Sequence, residues 1–171
     1  MPVITPDFAQ TMAAYNAVLN TKIYAAAARL SDAERKAERG AFWRSIHGTL
    51  NHLVWADRMW MSRIDGWEAP TQTLAESGTV HEAFAALAEA RERMDADLAA
   101  WAARIEPEWL DGALTWFSGA AGREITAPRG LVVTHLFNHQ THHRGQVHAM
   151  LTAAGERVGD TDLPFVLPSG G

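Results

Sequence analysis

The chain contains no cysteine. That absence removes disulfides, thiolate metal ligands and a cysteine nucleophile together, so any metal must be held by His, Asp or Glu. A basic stripe is also missing: the formal net charge is -5, with acidic and basic residues interspersed, which leaves little to neutralise phosphates or anionic lipid. Nucleic acid is therefore not expected as a partner. No apolar run approaches the roughly 18 residues of a membrane span, and the opening MPVITPDFAQ has neither a charged n-region nor an apolar h-region. These features predict a cytoplasmic protein with no membrane partner. The sequence further lacks a G-x-S-x-G elbow, a P-loop, a G-x-G-x-x-G turn and an H-E-x-x-H pair with its built-in glutamate base, so peptidase chemistry is disfavoured.

What is present suits one globular domain over residues 1–171: hydrophobic residues make up 47% and charged residues 20% of the chain, enough for one sizeable core. Apolar residues recur at helical spacing in four runs. The first extends from Pro6 to Leu30, with Thr5 as N-cap and Pro6 at the first helical position. Ser31 and Glu34 are placed to cap a short turn. A second run covers Phe42 to Ile64 and ends at Asp65-Gly66; residues 66–78, rich in Gly, Pro, Thr and Ser, read as a loop. Thr79, with Glu82 as capping-box partner, predicts the start of a third helix that continues to Ile105 and stops at Pro107. The period disappears over 108–128, where LTWF and REIT flank SGAAG as a small two-stranded ribbon. The fourth run, from Pro128 or Arg129 to Ala154, is closed by Gly155, and residues 156–171 form an extended tail. Four long helices with one excursion before the last predict an all-α fold, a four-helix bundle.

The fourth run holds HLFNHQTHHRG at 135–145, four of the chain's eight histidines. Projected at about 100 degrees per residue, Val132, Leu136, Val147, Met150 and Ala154 define the core-facing stripe. His143 lies inside it and His139 at its margin. His135 and His142 sit toward the polar edge, and His148 lies on the far side with Arg144, which is thus expected in a solvated or dimer-contact role. An i, i+4 pair sets Cβ atoms about 5 to 6 Å apart, close enough for both rings to bind one ion at about 2.0 to 2.1 Å. Two inward imidazoles on an aliphatic stripe bury polar nitrogens that are costly to leave unpartnered, which favours metal binding over satisfied core histidines. The second run offers His47 and His52 as a third ligand, and periodicity does not choose between them.

The stretches SIHGTLNHLVWADRMW and HLFNHQTHHRGQVHAML, in this order and separated by about 90 residues, resemble the DinB family of metal-binding four-helix bundles, also described as DinB/YfiT-like. The likeness extends from the first helix to the D-x-D-L element at Asp160–Leu163. It implies a three-histidine divalent metal site formed by His52, His139 and His143, and it decides against His47. Three neutral nitrogens leave a coordination position open, the arrangement of a catalytic metal, with zinc or nickel both suited to imidazole. Gln146, His142 and Asn138 are candidates to orient the ligands.

Asp57, five residues beyond His52, is expected in an ion pair with Arg58 or with the fourth helix, and His81 at the surface. Trp55, Met59 and Trp60 are candidates for a pocket wall, and Trp116 and Phe117 for a lid over the metal. The resemblance implies a metal-dependent enzyme of thiol S-transferase type acting on a small molecule, with an exogenous low-molecular-weight thiol, and a homodimer. Hydrolysis by metal-activated water is the nearest alternative, and a non-catalytic, stress-related metalloprotein the next.

Overall fold

The computed structural model of the chain describes residues 3–119 and 121–167. Helix α1 spans Pro6–Ala28, and the Thr5 hydroxyl accepts from the Phe8 N–H at 3.2 Å, as expected of its N-cap. The short α2, Asp32–Lys36, carries the Ser31–Glu34 capping box. Helix α3, Ile46–Ile64, begins later than the apolar period suggests, because Ser45 caps it by accepting from Gly48 N–H at 3.0 Å. Gly66, at φ 71°, then turns the chain away.

The expected 66–78 loop is a strap with structure of its own. Thr73 donates from its N–H and its hydroxyl to the Glu76 carboxylate, at 2.8 and 2.7 Å, opening a 3-10 turn over Leu74–Thr79. That turn uses up Thr79. Helix α4 therefore starts at Phe84 with Ala83 as N-cap, and not at Thr79 with a Glu82 box, and it ends at Ala102. After the short α5, Pro107–Leu110, strands β1 (Ala113–Ser118) and β2 (Arg123–Pro128) pair antiparallel with Trp116 opposite Ile125. The ribbon leads into α6, Arg129–Ala153.

The tail is docked: Tyr15 Oη donates to the Thr161 carbonyl at 2.6 Å, Lys22 Nζ donates to that of Asp160 at 2.9 Å, and Leu163–Val166 form α7. Of the extended tail expected over 156–171, residues 168–171 lie outside the described ones. Ala120 does so as well.

Helix α1 packs against α4 and α6, and α3 packs against α6 and α4. Around the bundle the order is α1–α4–α3–α6, so α1 and α3, the first two long helices, stand diagonally. The apolar interior is divided in two. Ala13, Met61, Leu98 and Phe137 belong to one cluster, and Ile23, Leu50, Leu87 and Leu151 to the other. Between them each helix contributes buried polar groups: Asn16 and Asn20 from α1, Asp57 from α3, Arg91 and Asp95 from α4, Gln140 and Arg144 from α6. Among the described residues no helix is long and apolar enough to cross a membrane.

Candidate metal centre

Helices α3 and α6 pack directly, and their contact brings His52, His139 and His143 together. One ring nitrogen from each lies within 4.8 Å of the others. Ring centroids are 5.2 Å apart for His52–His139, 4.8 Å for His52–His143 and 4.5 Å for His139–His143. The Nε2 atoms of His52 and His139 are 3.3 Å apart. An ion bound tetrahedrally at 2.0 to 2.1 Å would require ligand nitrogens about 3.3 to 3.4 Å apart, the spacing of the His52–His139 pair, and the His143 nitrogen lies within 4.8 Å of both. His47, although buried, is engaged elsewhere: its Nε2 lies 2.8 Å from the His81 carbonyl.

Two rings are oriented through their other nitrogen. His52 Nδ1 meets the buried Ser77 hydroxyl at 2.9 Å, and His143 Nδ1 meets the Gln146 amide oxygen at 2.8 Å. If those oxygens accept an N–H, the Nε2 lone pairs are left free to face one another. The Trp43 indole stacks on His52 at 4.1 Å and 19°. His139 Nδ1 is buried without a protein partner. Burial lowers the pKa of His52 to about 3, assisted by the neighbouring His143 and His139. Burial likewise lowers His139 to about 3, with His143, His135 and His142 adding to it. Burial also lowers His143, against the opposing hydrogen bond from Gln146. The rings are therefore neutral at neutral pH, the protonation state a metal ligand needs.

Gln146 serves His143 rather than the His139 it eclipses in projection, and its amide nitrogen lies 3.3 Å from His142 Nε2. Asn138 is exposed and forms no hydrogen bond among the described residues. Ser77 carried no signal of its own because the strap read as loop, and Trp43 read as one apolar position of the second helical run, whereas the helix begins only at Ile46.

Several expectations are corrected. Arg144 is neither solvated nor on an outer face: it is 3% exposed, lies over the Tyr15 ring at 5.6 Å, and burial lowers its pKa to about 10. Helix α6 is covered on two sides, by α3 and by α1, and the projection allowed for one. Asp57 pairs with Arg91 of α4 at 2.6 Å, not with Arg58, which bonds Glu68, nor with α6. His81 is half-buried, and its backbone ties the strap to α3 through Asn51 and His47. Trp116 and Phe117 fall on opposite faces of β1 by strand alternation. Trp116 packs on Trp60 at 5.7 Å, and Phe117 is 65% exposed, so they do not form a joint lid. Trp55 is buried, with its N–H donating to the Gln72 carbonyl at 2.9 Å. Trp60 faces His135 at 4.7 Å.

A cleft of about 800 Å³ opens on the other side of Trp55, between α3, α4 and the strap; none of the three histidines lines it. The convergent polar chemistry lies in the α3/α6 groove, not there.

Among solved structures, the chain is similar to a DinB-like protein from Bacillus cereus ATCC 10987, at 21% identity over 83% of this chain and 89% of that one, with a TM-score of 0.61. It is also similar to YfiT from Bacillus subtilis, a probable metal-dependent hydrolase with an unusual four-helix bundle topology, at 10% identity over 91% and 92% of the two chains, with a TM-score of 0.63. At such identities the likeness establishes the fold. No curated protein matches the chain. A sequence model of the DinB family matches residues 5–169, and on that match the chain belongs to the DinB family.

Proposed function

We propose that the protein is a metal-dependent enzyme in which His52, His139 and His143 hold one divalent cation, zinc or nickel, and that it transfers an exogenous low-molecular-weight thiol to a small electrophile. The observation that carries this reading is the convergence of three neutral ring nitrogens, two of them at the spacing of a tetrahedral edge. A divalent cation held there would lower the pKa of a thiol or water and would polarise an electrophile. The chain's residues do the rest. Ser77 and Gln146 fix two of the rings, Trp43 covers His52, and three protein ligands would leave a coordination position for a thiol or water.

Among the described residues, Asp57 is the acid nearest His52 along α3, and it is turned inward and paired with Arg91. Among the described residues no carboxylate joins the cluster as a general base, which favours a thiol, since its ordinary pKa of about 8.5 needs less lowering than the value of about 15.7 for water. Hydrolysis is the second reading, favoured by His135 and His142: their rings lie 5.9 Å from His139 and 4.9 Å from His143, within reach of a base's role through one water. The likeness to YfiT supports it too. Homodimerisation is proposed from the family alone.

Elemental analysis of purified wild type, His139→Ala and His143→Ala tests the metal reading. About one equivalent of metal is expected in wild type and a loss of most of it in each variant; equally low content in all three under metal-replete conditions would overturn it. Thiol conjugation and ester or amide hydrolysis assayed on the loaded protein then separate the two chemistries.

A further inference from the structure

Arg63 lies on the face of α3 that carries His52, about 20 degrees away in projection and three turns further along. From His139 a line of rings leads to it: His135 at 5.9 Å, then Trp60 at 4.7 Å from His135. The Arg63 guanidinium sits over Trp60 at 4.7 Å and over Trp116 at 5.8 Å. It is half-buried, and among the described residues no carboxylate pairs with it, whereas Arg58, Arg91 and Arg104 pair with Glu68, Asp57 and Asp65. Burial lowers its pKa, and no acidic neighbour opposes that shift. Two indoles flank the guanidinium, and among the described residues its N–H groups donate no hydrogen bond, so the fork stays available to a planar oxyanion, which it can bind bidentately.

We infer that Arg63 is the docking point for a carboxylate on the substrate or thiol, which lies along Trp60 and His135 with its reacting end at the histidine cluster. This rests on the metal reading above. Eleven residues of helix rise are about 16 Å, and an arginine side chain leans back toward the helix N-terminus, leaving a span of roughly 10 Å from the histidine cluster to the guanidinium nitrogens. The ligand is therefore elongated, with an anionic end, an apolar or flat middle and a metal-seeking end.

The test uses the cobalt-loaded protein and a series of straight-chain thiols of increasing length ending in a carboxylate, each with its amide-ended twin. Binding is read from the visible spectrum of the cobalt. At one chain length the carboxylate is expected to bind at least tenfold tighter than its amide, and added salt should erode that preference in wild type. In Arg63→Gln the preference should disappear while the amides bind unchanged; Arg63→Lys should retain part of it. Equal affinity of carboxylate and amide at every length, or a preference that survives in Arg63→Gln, overturns the proposal. If wild type takes up no cobalt, the metal reading falls and this one falls with it; if cobalt binds but carboxylates show no advantage, only this one does.

Discussion

At the scale of single residues, the site depends on groups that set which nitrogen of each imidazole points inward. Ser77 is wholly buried and its hydroxyl has His52 Nδ1 as partner at 2.9 Å. Ser77→Ala removes that partner and frees the ring to rotate or change tautomer. Metal affinity is expected to fall about 10- to 100-fold, as for the loss of outer-shell partners elsewhere, and a chelator competition titration measures it; unchanged affinity would mean that Trp43 stacking alone orients His52. The sequence shows the His139 and His143 pair because spacing on one helix is a local property, whereas His52, on another helix, was reached through the family resemblance. The sequence conceals Ser77 because a serine 25 positions away is brought to His52 only by the fold. Arg144 misled for a related reason, since a projection gives the angle of a side chain but not how many neighbours cover the helix.

At the scale of elements, the four long helices were legible because the helical period persists over many turns, and the caps of α1 at Thr5 and of the short α2 at Ser31 because capping is a short-range pattern. The start of α4 was not, as Thr73–Glu76 and Thr79–Glu82 are equivalent patterns and only the first is used. That choice creates the strap that carries Ser77 to His52. A tight approach fixes the strap's other neighbour: a Cβ on Gly48 would lie 2.4 Å from the Trp43 carbonyl oxygen. Both partners there are backbone, so Gly48→Ala must push the segment before α3 outward and lift Trp43 from the His52 ring. The expected cost is about 1 to 3 kcal/mol of stability, read by urea denaturation, with weaker metal retention; a variant as stable as wild type would show that this segment gives way freely.

At the scale of the whole molecule, the buried polar layer and the histidines dominate. Asp57 is fully buried and paired with Arg91, which also pairs with Asp95 at 2.7 Å. Asp57→Ala leaves a buried guanidinium short of one carboxylate, and a loss of about 3 to 5 kcal/mol is expected by denaturant unfolding; a loss below 1 kcal/mol would mean that water enters the layer. The response to pH has a definite sign. Burial, as the leading cause, lowers His52, His139, His143, His47, His81 and His135 below the usual imidazole value, the first two to about 3. The unfolded chain therefore takes up protons near pH 6.5 while the folded chain still refuses them. Their contribution to stability is complete above that pH and is lost as pH falls from about 6.5 toward 3. His52 and His139 together supply a slope of about 2.7 kcal/mol per pH unit below pH 6. Exposed carboxylates such as Asp32, Glu34 and Glu76 are held below their ordinary values of 3.8 to 4.5, chiefly by hydrogen bonds, and begin to lose their contribution only below those values, so above about pH 5 the histidines set the slope. The metal-free protein should show a clear fall in Tm between pH 7.5 and 5.5, and His52→Ala should flatten it. The loaded protein should start higher and fall more steeply, because protons compete for the same nitrogens. A metal-free Tm that is constant across this interval would mean that these rings gain protons as readily in the folded state as in the unfolded one, and so are not the dry, neutral donors a metal requires.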